Sequence, residues 1–197
     1  MLKRDIEFLF EIGTLRNVER TWCQVLGHGM ATVLEHTVRV VFLALLLARM
    51  EGEKDEEKII KMALAHDLSE SRTGDANYVN AVYLKRDEKL ARKDLFTGTS
   101  LLDFERDILR EFEERKSKVS KIVKDADNLD VEMELVELEA HGSHTAAIMS
   151  KNRKESLLKK LYTKSAKKLW KEMQTANPVS WFLSSHKWAM EKNAGRQ

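Results

Sequence analysis

Apolar residues along the chain recur three and four positions apart, the period of helices, and nowhere alternate over the length of a strand. Near residues 4–12, Ile6, Leu9 and Phe10 form a short apolar stripe. Gly27, His28 and Gly29 mark a loop, and residues 32–50 form a long core helix whose apolar run, Val40 to Ala48, is bracketed by Arg39 and Arg49. Gly52 ends it. Asp55-Glu56-Glu57 opens the next helix with acids suited to the positive end of its dipole, and Gly74 is expected to close it. Residues 75–99 read as irregular or broken. Ser100 to Asp103 resembles a capping box before a helix to about Lys116, and a further helix covers 118–140, stopping at Gly142. Residues 152–174 read as one basic amphipathic helix with Leu158, Leu161, Ser165, Leu169 and Met173 turned inward. Asn177-Pro178 is a cap and first-turn proline for a last helix through Trp181 and Trp188. No hairpin signal, repeat or low-complexity tract interrupts this pattern. The expectation is one all-α domain over residues 1–197, its last helices following about residue 150.

Composition narrows the function classes. Charged residues make up 34% of the 197 positions, yet they nearly cancel to a formal net charge of +2. Such balance argues against a nucleic-acid-binding surface over the whole molecule and leaves room for a local basic pocket. The stretch Lys151 to Lys171 holds nine Lys and Arg, but its inward stripe marks a solvated basic face, free to pair with the acidic helices around Glu105–Glu114 and Glu132–Glu139. A membrane span needs roughly 20 apolar residues, more than the run at Val40 to Ala48 supplies. The N-terminal MLKRDIEFLFEIG carries charges within its apolar stretch, as a signal peptide does not. Cys23 is the single cysteine and has no internal disulfide partner, so a reducing, cytoplasmic setting is expected.

Chemistry is concentrated in residues 56–75. Ile59, Met62, Ala63, His66, Asp67 and Glu70 share one helical face, so an apolar stripe runs into a histidine and two carboxylates. Burying an ionised carboxylate without a partner is costly, and a cation is a direct partner. Two adjacent residues cannot surround an ion, so other segments must contribute. His36, in VLEHTVRVV, and Asp127, in KIVKDADNLDVEMEL, are polar groups set beside core positions. Taken alone, either reads more readily as a hydrogen-bonded core residue; the His66-Asp67 pair with Glu70 one turn later shifts the balance toward a site.

The order His36, His66-Asp67, Asp127 resembles the H…HD…D signature of the HD superfamily of metal-dependent phosphohydrolases. HDLSESRTGD (66–75), LRNVERTW (15–22) and VKDADNLD (123–130) are similar to three motifs of its 5'-deoxynucleotidase-like branch, and the likeness covers about residues 8–140. The resemblance implies a helical HD bundle in which His36, His66, Asp67 and Asp127 hold one divalent ion: Mn, Co, Fe, Ni, Zn or Mg. It implies Glu70 as the residue that handles the attacking water, with Asp75 near the sugar or the same water. Arg20 would hold the phosphate and Trp22 would pack on the deoxyribose, although Thr21 alone separates the two, a spacing that differs from relatives. No histidine lies between Asp67 and Asp127, where HD enzymes with two metals generally place further ligands, so a mononuclear site is expected.

The leading expectation is therefore an enzyme that removes phosphate from deoxynucleoside 5'-monophosphates. A nucleoside triphosphate hydrolase would instead need several cations converging on the site, with Lys85, Arg86, Lys89, Arg92 and Lys93 as candidates. A nucleotide-sensing module with little turnover would not require Glu70. His141 and His144 have ligand-like spacing but sit at a helix end, where the dipole accounts for a histidine without a metal. His28 reads as a loop residue and His186 as a core or interface histidine. Trp181, Phe182 and Trp188 suit either a core or a homodimer contact.

Overall fold

The computed structural model describes residues 1–27 and 29–185. His28, His186 and Trp188 therefore lie outside the described residues. The helices in chain order are α1 (Leu2–Gly13), α2 (Cys23–Leu26), α3 (Val33–Met50), α4 (Glu56–Ala65), α5 (Glu70–Thr73), α6 (Asn80–Tyr83), α7 (Glu88–Phe96), α8 (Arg110–Glu114), α9 (Lys118–Ala140), α10 (His144–Lys160), α11 (Lys164–Met173) and α12 (Ser180–Leu183). A 3₁₀ turn, Thr14–Asn17, follows α1, and a π-helical stretch, Phe104–Leu109, leads into α8. Among the described residues the extended pairing is a single bridge between Glu19 and Thr32.

Two helices organise the bundle. In α3 the buried positions are Val33, His36, Thr37, Val40, Leu43, Ala44, Leu47 and Ala48, a stripe at helical spacing. Its start is fixed by a capping box: Thr32 Oγ1 accepts from the Glu35 amide, and the Glu35 carboxylate accepts from the Thr32 amide at 2.7 Å. α9 crosses α3 and also touches α4, α8, α10 and α11, so its buried Ile122, Val123, Ala126 and Leu129 lie at the centre of the main core. Because His36 is on α3, His66 at the end of α4 and Asp127 on α9, packing these three helices brings the polar positions together.

Several local expectations change. The stripe of α1 is carried by Phe8, which packs on Phe96, while Ile6, Leu9 and Phe10 are exposed. The helix expected from 56 to 74 breaks at His66, and successive tight turns (Leu68 amide to Ala65 carbonyl, Glu70 to Asp67) carry the chain into α5. Residues 75–99 are not irregular throughout, since Asp87 caps the nine-residue α7. Ser100 does not cap its own helix; its amide and hydroxyl both donate to Asp5 of α1, at 2.6 and 2.8 Å. The basic helix is two helices, because buried Asp125 accepts from the amides of Tyr162 and Thr163, both at 2.8 Å, and turns the chain between α10 and α11. Its buried positions are accordingly Leu157, Leu161, Ala166, Trp170 and Met173.

Candidate metal centre and its cleft

The two imidazoles are oriented from behind. His36 Nδ1 lies 2.5 Å from Asp130 Oδ2, and His66 Nδ1 lies 2.7 Å from the Ala63 carbonyl. Carboxylate and carbonyl oxygens only accept, so each Nδ1 is the donor, and in the neutral imidazole that a metal requires each Nε2 presents a lone pair. Both Nε2 atoms are buried without a hydrogen-bond partner. They face carboxylates: His36 Nε2 is 3.4 Å from Asp127 and 3.5 Å from Asp67, and His66 Nε2 is 3.2 Å from Asp67. The donor atoms of His36, His66, Asp67 and Asp127 all lie within 4.8 Å of one another. Ligands bonded at about 2.0–2.2 Å to one ion stand roughly 4 Å apart or less, so this cluster fits a single N/O-ligated divalent cation. Buried lone pairs with nothing to bind are the observation that asks for one.

Electrostatics agree with that fit. Burial opposes the Asp67 charge, but His66 and His36, when protonated, hold its carboxyl well below the usual range, which is the effect a cation in that place would have. Burial likewise opposes Asp127, and Lys124, whose Nζ is 2.6 Å away, holds it down. Glu70 goes the other way: burial first, then the carboxylates of Asp67 and Asp75, push it up to about 9, against Arg20 and Arg86. Its Oε2 is buried and unpartnered.

Arg20 is not a surface ion-pair residue; it is buried, 3.9 Å from Asp67, with its Nε free of partners. The Glu19–Thr32 bridge and the Val33 amide bond to Val18 tie its segment to the start of α3. Asp75 accepts from the amide and hydroxyl of Thr21, at 2.6 and 2.9 Å, and so holds the turn between Arg20 and Trp22. Trp22 is buried, tilted against Tyr78 with ring centroids 5.6 Å apart, and covered by the Arg153 guanidinium. Arg20, Trp22, His66, Asp67, Glu70, Asp75 and Asp127 all line one cleft of about 670 Å³.

Of the cations proposed to gather around a longer phosphate chain, Arg86 alone lines the cleft; Arg92 pairs with Glu113, and Lys85, Lys89 and Lys93 are exposed. The far wall comes from α10, where Arg153 pairs with buried Glu132 at 2.7 Å and Lys160 lines the rim, while the other lysines of the basic stretch face solvent. Sequence reasoning missed Asp130 and Arg39, which donates to it. Asp130 stands one helical turn beyond Asp127, and that i, i+3 spacing was a readable signal. His141 Nδ1 bonds the Glu137 carbonyl at 2.8 Å, in keeping with a helix-end histidine.

Residues 12–175 match the family described as HD domain. A protein of Dictyostelium discoideum named 5'-deoxynucleotidase HDDC2 is 30% identical over 149 residues, covering 68% of this chain and 77% of its own. Its namesake in Danio rerio is 32% identical over 143 residues, covering 68% and 69%. A solved structure described as a conserved hypothetical protein from Pyrococcus furiosus superposes with a TM-score of 0.73 at 26% identity, covering 87% of this chain and 99% of that one.

Proposed function

The chain belongs to the HD domain family, and on that premise we propose that it is a metal-dependent phosphohydrolase that removes phosphate from deoxynucleoside 5'-monophosphates. One observation carries the reading: a four-donor cluster, a buried arginine with a free Nε and a glutamate with a buried, unpartnered oxygen share one cleft. His36, His66, Asp67 and Asp127 would hold one divalent ion of the Mn, Co, Fe, Ni, Zn or Mg group. Such an ion supplies Lewis acidity toward phosphoryl oxygens and acidifies water. Arg20 would bind the phosphate through two nitrogens. Glu70 would take the proton of the attacking water, and Asp75 would keep Arg20 and Trp22 in register through Thr21. Trp22 would close on the sugar where a 2'-hydroxyl would otherwise stand. The names of the two relatives support the same substrate class.

Charge balance supports a monophosphate over a triphosphate. The cleft is lined by Arg20, Arg86, Arg115, Lys124, Arg153 and Lys160 against Asp67, Glu70, Asp75, Glu88, Glu113 and Asp127, six basic groups against six acidic ones with Glu70 in its ionised, proton-accepting form. A bound dication then matches the dianion of a phosphate monoester. We further propose a single domain over residues 1–197, since α10 and α11 share the main core, and a cytoplasmic homodimer. Exposed Val38 and Phe42 of α3 line a groove with exposed Trp181, the kind of aromatic surface that interfaces enrich.

Reconstituted protein is expected to hold about one divalent ion per chain and to release phosphate from dAMP. His66→Ala should lose both ion and turnover. Two tightly held ions, or undiminished turnover after complete chelation, would contradict this.

A further inference from the structure

Resting on that reading, we propose that Arg115 is a second phosphate-binding arginine, complementing Arg20 from beside Asp127. Arg115 caps the C-terminus of α8 with φ 52° and ψ 26°, and it is the one non-glycine residue with positive φ among those described. Glycine is the usual occupant of that conformation, because a Cβ is disfavoured there. An arginine held in it calls for a use of the side chain. Its guanidinium lies 3.7 Å from the centroid of the Phe112 ring, and that ring meets His66 edge-on at 5.9 Å. The positive charge is thereby pinned one aromatic ring from the metal centre, in the wall of the same cleft. Asp127 and Lys124 both lie within its electrostatic reach.

What separates Arg115 from the other cleft arginines is that no carboxylate stands within ion-pair distance of it, Glu113 and Asp127 acting on it only from further away. Arg20 faces Asp67, Arg86 pairs with Glu88 at 2.7 Å, and Arg153 pairs with Glu132 at 2.7 Å. Arg115 makes one long bond, 3.5 Å, to the Ser120 carbonyl, and no ion pair with any described residue. Burial correspondingly drives its pKa down. A partly buried guanidinium that no carboxylate pairs directly is a receptor for an anion that arrives from outside, and phosphate matches its planar fork. The dianion would then be held by two guanidiniums and the ion, leaving Lys124 to neutralise Asp127.

Arg115→Gly tests this cleanly, since glycine suits the backbone and removes only the side chain. The probe is inorganic phosphate, titrated calorimetrically into metal-loaded protein, alongside KM and kcat for dAMP. The expected result is intact metal content with phosphate binding weakened and KM raised by about tenfold or more, the size of a charged hydrogen bond. Arg115→Lys should fall between, keeping charge and losing the fork. Should the glycine variant not fold, Arg115→Gln, which keeps a long side chain over Phe112, serves the same test. A folded, metal-replete variant that binds phosphate and dAMP like the wild type would overturn the proposal, because a purely structural arginine would move melting temperature alone. Wild-type protein that binds phosphate through Arg115 but hydrolyses no monophosphate would instead overturn the phosphatase reading and leave this one standing.

Discussion

His36 and His66 differ in what holds them. His66 leans on a main-chain carbonyl of its own helix, whereas His36 depends on Asp130, a side chain of another helix that is itself held by Arg39. Asp130→Asn should therefore weaken metal affinity about 10- to 100-fold, read by competition with a chelator. Unchanged affinity would show that packing alone orients the ring. Glu70 makes a different prediction, because its raised pKa belongs to the folded chain. Without metal, the folded protein keeps the Glu70 proton up to about pH 9, while the unfolded chain releases it near 4.5. Stability from this group is complete below the unfolded value and is lost as pH rises through the folded one. Metal-free Glu70→Gln should thus melt above the wild type at pH 8 and level with it near pH 4; a gap that ignores pH would contradict this. The same variant, metal-loaded, should keep its ion and lose about a hundredfold in rate.

At the scale of elements, the start of α3 is where sequence and site meet most directly. Thr32 and Glu35 close the capping box immediately before His36, so Thr32→Ala should cost about 1 kcal/mol, measured by denaturant unfolding. No loss of stability would mean that the Val18–Val33 tether holds this end by itself. Such local signals were legible: the buried stripe of α3, the Asp55 cap of α4 and the polar positions set into apolar faces all follow from spacing and residue type. Breaks imposed from afar were not. The stripe through Leu158, Leu161 and Leu169 continues unbroken in sequence, and the turn at Tyr162 and Thr163 comes from Asp125, 37 and 38 residues away. From its neighbours Ser100 reads as a cap, but its partner is Asp5, 95 residues away. The left-handed Arg115 has the same origin, since a dihedral set by packing leaves no periodic trace, whereas Asp130 behind His36 leaves one in its i, i+3 spacing from Asp127.

For the whole molecule, the four-donor cluster was legible because each of its residues interrupts an apolar face, and packing α3, α4 and α9 has only to bring those interruptions together. The cleft around it was less so, as α10 contributes a wall through residues that read as a solvated basic face. No described helix is long and apolar enough to cross a membrane. The exposed groove of Val38, Phe42 and Trp181 predicts that light scattering at micromolar concentration returns twice the 22.8 kDa chain mass; a monomer would reject the dimer. On the proposed function, the four-donor cluster, Arg20, Glu70 and Trp22 form one site for a deoxynucleoside monophosphate. The direct measurement is kcat/KM for dAMP, AMP and dATP with the metal-loaded protein, side by side. A wall at Trp22 that excludes the 2'-hydroxyl acts by clash, which discriminates strongly, so dAMP should lead both others. Equal rates on dAMP and AMP would contradict the sugar contact, and preference for dATP would contradict the monophosphatase.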